Sequence, residues 1–534
     1  MGFDDLGSYA ARLDGSVDTP TPLGDSSRDT HEPATDARVQ PDGSMDARVD
    51  APLADTLQPD RNMDQAIDAP LADTLRPDGT MDQAIDAPLA DTLPPDGTMD
   101  ARVDAPAIPT QSWAQSFGHS LADDSFGVAV DGNGNITMTG GFQGIVDFGG
   151  GALTSMGSPD VFVASYDPTG VHRWSKRFGD AAAQFGKSVA VDVSGNVMVT
   201  GSFEGTVDFG GGVLTSAGQS DIFVVSFAPN GSHRWSKGLG GTWTDQSIAI
   251  AGDASGNVVI AGSFWTDVDF GGGPLTSAGG SDIFIASYHP DGSHRWSKRF
   301  GATYADSSYD VATDGDGNVI ILGGFGRTVD FGGGPLTSAG NNDIVVASYD
   351  SNGAHRWSRH FGGTSYDYGR GVATDSSGNV TITGFFPGTV DFGGGPLTST
   401  GTNNIFLASY DSSGVHRWSK SFGGAVSQSG QDVSIDVSGN VVFIGHFRDV
   451  IDMGGGPLTS TGNEDIVVAS YDSAGIHRWS RRLGGSLNDQ GRGVAVDRGD
   501  NVIITGIFRD IVDFDETLTS AGETDIFLLR NQQP

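Results

Sequence analysis

The sequence predicts an all-β fold, a seven-bladed β-propeller of four-stranded blades, preceded by a disordered acidic segment. Three observations carry this expectation. Tryptophans recur at Trp113, Trp174, Trp235, Trp296, Trp357, Trp418 and Trp479, always 61 residues apart. Between them each unit offers four short strand-like runs and no helical periodicity. One register position stays small throughout: Ala129, Ala190, Ala251, Ala312, Ala373, Ser434 and Ala495. Repetition at this period marks a fold built from supersecondary units that bury their faces against one another.

The second unit shows the strands in order. They are expected over 174–178, 188–192, 196–203 and 221–227. The turns VSGN at 193–196 and APNG at 228–231 separate them, each with a glycine available for a positive φ. Two of the runs, VMVT and DIFVV, are apolar on both faces, which suits strands sandwiched between neighbouring sheets. The small register position belongs to the innermost strand, where strands crowd the axis. Trp174 and Phe178 share a face at period two and are expected to pack between blades.

The ends of the repeat array complement each other. The last unit stops at 525–530 without its own HRW strand, and the first begins with an unpaired Trp strand at 112–117. Pairing these would complete the seventh blade and hide two strand edges that otherwise invite aggregation. The propeller domain is therefore expected over 111–534.

Residues 1–110 have a different composition, with 22 Asp and one Glu against seven Arg and no Lys. An 18-residue repeat begins at Asp50, Asp68 and Asp86, with a fourth start at Asp104. Its prolines, among them Pro52, Pro59, Pro70 and Pro77, oppose a helix. Self-repelling carboxylates and few large apolar groups favour an extended stalk.

Composition excludes several function classes. With no cysteine, there are no disulfides, thiolate zinc sites or cysteine nucleophiles. A net charge of −37 argues against nucleic-acid binding. No apolar run is long enough to span a bilayer. Residues 1–11 lack the basic start and apolar core of a secretory signal, so a start codon further upstream is expected if the chain is exported.

The units G-x-V-A-V-D-x-S-G-N-V-x-x-T-G-x-F and D-I-F-V-A-S-Y-D-x-x-G-x-H-R-W-S-K-x-F-G-G resemble the SBBP β-propeller repeat of bacterial cell-surface and lipoprotein-like proteins. The resemblance covers 112–530. It implies the fold, and an extracellular or outer-surface location. A weaker likeness, SYDPTGVHRW at 165–174, runs to quinoprotein propellers. Those enzymes usually have eight blades and a vicinal cysteine pair, against seven units and no cysteine here.

Repeated residues are read first as structure. The HRW histidines, His172 and its equivalents, fall on separate blades and are expected in local hydrogen bonds. The DxxGN turns, including DGDGN at 314–318, lack the later carboxylates of a calcium loop and read as capped hairpins. The GGG runs precede no helix and so are not phosphate loops. No metal or other cofactor is expected.

Candidate binding residues come from the place where the units differ most, the loops before the innermost strands. A ring formed by Asp123, Gln184, Asp245, Asp306, Asp367, Gln428 and Asp489 precedes those strands. It reads either as turn capping or as a polar mouth for a cation or sugar hydroxyls. Trp243, Tyr304, Tyr309, Tyr366 and Tyr368 cluster in three consecutive units beside Asp245, Asp306 and Asp367. Such rings beside carboxylates suit a glycan or a surface protein as partner. No Ser-His-Asp set or isolated acid pair breaks the symmetry. The expected function is a monomeric binding or structural propeller rather than an enzyme. The alternative is an enzyme at the channel mouth, a polysaccharide lyase or a quinone-dependent oxidoreductase.

Overall fold

A computed structural model describes residues 112–514 and 516–532. The acidic stalk expected at 1–110 lies outside the described residues. Within them the chain forms seven four-stranded antiparallel sheets arranged as a propeller. In the first blade the strands run outward from the axis as Asp124–Val130, Ile136–Phe142, Asp160–Tyr166 and His172–Phe178. The outermost strand is thus the HRW strand that opens the next repeat.

The ring closes as expected. Trp113–Phe117 joins Asp525–Gln532 in the seventh blade, with Trp113 opposite Arg530 and Phe117 opposite Ile526. Arg530 stands where the other six blades have a serine, as Ser165 opposite Trp174, and forms a buried ion pair of 2.9 Å with Asp497.

Burial explains the strand pattern. All seven residues of each third strand from the first blade to the sixth, such as DIFVVSF at Asp221–Phe227, are buried. Apolar clusters lie between blades. Val161 and Val163 of the first blade meet Val199 and Phe223 of the second. Ile526 and Leu528 of the seventh meet Ile136 and Phe162 of the first.

The tryptophans latch blade to blade. Trp174 on the first blade's outer strand donates its indole N–H to the Pro229 carbonyl of the second, at 3.0 Å. The ring lies over Gly231, at φ +80°, where an added Cβ would come within 2.7 Å of Cδ2. Only glycine permits both the turn and the contact. Trp113, Trp235, Trp296, Trp357 and Trp418 repeat the bond on the next blade.

The GGG runs close a small hairpin that the four-strand reading missed. In the second blade it pairs Thr206–Asp208 with Val213–Thr215. Its glycines make room for histidine: a Cβ on Gly211 would lie 2.3 Å from His233 Cε1. His233 in turn reaches Ser236 on its own strand at 3.1 Å. The HRW histidines are therefore hairpin supports.

Deleting residues 1–118 removes the closing strand and bares the edge of 525–532, whereas deleting 1–105 leaves it paired. The first truncation should aggregate and melt lower, and the second should match the full chain. Size-exclusion chromatography and thermal melts check this.

Candidate functional site

Each innermost strand is preceded by a loop on one face of the disc. In the third blade that loop is held by one residue. Asp245 accepts from Gly241 N–H at 2.7 Å and Trp265 N–H at 2.9 Å. Its own N–H donates to the Ser220 carbonyl of the blade before. Three backbone segments thus converge on one residue, two of them on its carboxylate, and the loop between them projects Trp243. Asp123, Asp306 and Asp489 make the same bonds.

The aspartates therefore do not stand beside the rings as ligand acceptors. Asp245, Asp306 and Asp367 are fully buried, with their oxygens turned to backbone amides. Of the two readings of this ring, the geometry is that of turn capping. Asp367 departs from the pattern. Its Oδ2 accepts from Gly363, but its Oδ1 has no partner. The equivalent donor position holds Pro387, which has no N–H.

Burial raises these carboxyl groups. Desolvation pushes Asp123, Asp306 and Asp367 up to about 7, and Asp245 and Asp489 to about 6. A neighbouring buried carboxylate adds to each, as Asp221 does for Asp245.

The aromatic residues divide into two layers. Trp243, Tyr304 and Tyr366 are exposed at 52%, 48% and 43%. Leu121, Val426 and Leu487 occupy the register position of Trp243 and Tyr304 in other blades and are also exposed. The loops thus carry an apolar crown around one face. Tyr309 and Tyr368 lie deeper, half-buried on innermost strands. Tyr366 stacks on Tyr368 at 6.3 Å, and Tyr368 leans on Tyr309 of the adjacent blade at 6.1 Å. Tyr304 is held by Arg327, whose guanidinium donates to its hydroxyl at 2.7 Å.

Sequence reasoning missed a second set of residues. Every innermost strand carries a β-bulge at one register position. Bulges re-aim side chains. The bulged residues are Phe126, Lys187, Ile248, Tyr309, Arg370, Gln431 and Arg492, all half-buried. Lys187 Nζ sits 4.1 Å from the Phe126 ring centre and 4.7 Å from that of Phe185. The available signal was chemical variety at this position, which reads Phe, Lys, Ile, Tyr, Arg, Gln and Arg across the seven units.

The opposite mouth is built from the DxxGN turns. Asp192, Asp253, Asp314 and Asp375 line a funnel of about 270 Å³. Each is already engaged: Asp192 Oδ1 accepts from Ser194 and Asn196 N–H, and Oδ2 from the Asn196 amide. These are capped hairpins, as expected.

Comparison with known proteins supports the repeat. The family model for the SBBP beta-propeller repeat matches residues 356–384, from the outer strand of the fourth blade to the second strand of the fifth. The chain is 23% identical over 506 residues to an uncharacterized WD repeat-containing protein of Acanthamoeba polyphaga mimivirus, covering 74% of this chain and 36% of that protein. It is 26% identical over 175 residues to the regulatory protein FlaEY of Caulobacter vibrioides, covering 31% of this chain and 18% of that protein. The chain thus spans about a third of the first relative and under a fifth of the second. Among solved structures, the Neurospora crassa Pan2 WD40 domain matches with a TM-score of 0.39 at 10% identity, covering 76% of this chain and 89% of that one. Sqt1 from Chaetomium thermophilum matches with the same score and identity over 79% and 100%.

The raised carboxyls make stability pH-dependent. Their unfolded values are about 3.9, so between about pH 4 and 7 the folded chain binds more protons. Stability is greatest below that window and falls as pH rises through it. Melting temperature should drop from pH 5 to pH 8. Pro387→Ala supplies the missing donor to ionised Asp367. It should recover about 1 kcal/mol at pH 8 and less at pH 5, read by denaturant unfolding.

Proposed function

We propose that this chain is a binding propeller that presents the apolar crown to a glycan or a protein. The observation that carries this is the placement of Trp243, Tyr304 and Tyr366 on three consecutive blades, exposed and on one face. Large apolar rings left in water on neighbouring loops mark an interaction surface. The cost of exposing them is offset only when a partner covers them.

The loops suit such a role mechanically. Each is anchored by a buried carboxylate, so the rings are presented in place before contact. Binding then loses little conformational freedom. Contacts spread over several blades let weak interactions add, which favours a repetitive polymer or an extended protein face. The role proposed is recognition rather than catalysis. A location outside the cell belongs to the same reading, and what supports it is the likeness to SBBP-repeat surface proteins.

Trp243→Ala with Tyr366→Ala should abolish or sharply weaken binding to glycan arrays, cell-wall material or a captured protein. Melting temperature should move little, since exposed loop changes cost under about 0.5 kcal/mol. Binding that survives the double change, or that disappears only with the fold, would remove the crown from consideration.

A further inference from the structure

Every third strand opens on a buried polar residue: Asp160, Asp221, Asp282, Asp343, Asn404, Asp465 and Asp525 across the seven blades. The outer strand beside it often supplies a matching cation. Arg177, Arg299 and Arg482 pair with Asp160, Asp282 and Asp465 in the first, third and sixth blades. In each, one carboxylate oxygen takes both the guanidinium and a loop N–H, that of Met156, Ala278 or Thr461. Where the arginine is absent, the chain compensates in three blades. In the fifth, Asn404 carries no charge and donates to Ser421 at 2.9 Å. Burial raises Asp343 in the fourth and Asp525 in the seventh, and His360 and His119 respectively lie close enough to oppose it.

The second blade does neither. Asp221 keeps its carboxylate, but Gly238 stands at the arginine position. Oδ2 of Asp221 accepts from the Ala217 N–H at 2.9 Å, and Oδ1 has no partner. Burial raises the group, with the Ala217 N–H and the Ser216 hydroxyl in opposition. Asp160, Asp282 and Asp465 are fully covered beneath their arginines, whereas Asp221 is 3% exposed. Further negative charge gathers here. Exposed Glu204 follows Phe203, which lies opposite Asp221 in the sheet. The other blades have Gln143, Trp265, Gly326, Pro387, Arg448 and Arg509 at that position, none of them a carboxylate. Buried Asp245 is close enough that Asp221 adds to its rise.

The place of the missing side chain is otherwise kept. A Cβ added to Gly238 would meet Phe203 Cζ at 3.4 Å and Leu214 Cβ at 3.6 Å, ordinary contact for an aliphatic stem. In other blades the arginine also donates to backbone carbonyls, Arg177 to Gly179 at 2.8 Å and Arg299 to Thr276 at 3.3 Å. The equivalent carbonyls of the second blade belong to Gly240 and Thr215. The chain crosses Asp221 at Gly240, where a Cβ would collide with its Cγ, and reaches exposed Trp243 three residues later. We propose that an arginine of a partner protein completes this socket. Its stem lies along Gly238 against Phe203 and Leu214, and its guanidinium reaches the Asp221 carboxylate. A planar fork meets a carboxylate and a carbonyl together, which a lysine ammonium matches less well. This rests on the crown as the binding surface and deepens that reading: the face that meets Trp243 is a protein face with an exposed arginine.

The test uses the full chain, isotope-labelled for NMR. The probes are the end-blocked tripeptide Gly-Arg-Gly, the same peptide with citrulline or lysine at its centre, and calcium chloride. The arginine peptide should shift the Gly238 and Gly240 amide signals saturably. The citrulline and lysine peptides should each bind at least about tenfold more weakly, and calcium should leave these signals in place. Asp221→Asn should weaken the arginine peptide at least about tenfold with the fold kept, since Asn404 fills the same place in the fifth blade. Gly238→Arg fills the socket from within. It should melt higher than Gly238→Met, whose stem is uncharged, and its Gly240 signal should no longer respond to the peptide. No response of the native chain, an equal response to citrulline, lysine or calcium, or Gly238→Arg melting no higher than Gly238→Met overturns the proposal. Partner binding that is lost in Trp243→Ala with Tyr366→Ala but unchanged in Gly238→Arg also overturns it, while leaving the crown as the binding surface.

Discussion

A strand buried on both faces cannot belong to a free sheet. The third strand of each of the first six blades is in that position, with all seven residues covered. Each blade therefore needs a neighbour on either side, and a row of such blades is satisfied only when it returns to its start. Closure by Trp113–Phe117 follows from this, as does the Trp-to-glycine latch at the rim. The ring distributes its stability over many similar junctions, so no disulfide is required.

Toward the axis the constraint changes from apolar area to space. The Ala129 row keeps the innermost strands slender enough to converge. These strands pair outward with their own blades and not with each other, so side chains span the gaps. Asp310 reaches Val372 N–H, Asp432 reaches Val494 N–H, and Ser188 reaches Ile250 N–H. A Cβ on Gly371 would lie 2.8 Å from Asp432 Cα of the following blade, so the inner strands come close enough there to require glycine. Within the inner strands the Ala129 row stays small, while the bulged residue and its neighbours vary from blade to blade, as does the loop that projects before them.

The anchoring aspartates link scaffold to surface. A buried carboxylate that gathers two amides fixes a loop more firmly than an exposed one, at the expense of ionisation. The ring tolerates an amide at Gln184 and Gln428 and a lost donor at Pro387, so the fold does not depend on any single anchor. What the anchors secure is the pose of the rings above them.

Much of this was legible in the sequence, because seven copies report the same environment seven times. The 61-residue step, the small inner position, the turn aspartates and the missing HRW strand determined blade count, strand order and closure. The local hairpin over histidine escaped notice because three-residue strands carry no periodicity. The site was only half legible. Trp243, Tyr304 and Tyr366 stood out as variation on a regular frame and are exposed, but their aspartate neighbours in sequence lie inside the blade. Spacing along a chain does not say on which side of a loop a short side chain falls. Nor could it bring Lys187 and Arg492 to the one Phe126 ring. They sit on different blades, and only convergence of the inner strands on one axis, with a bulge to turn each residue inward, makes neighbours of positions so far apart.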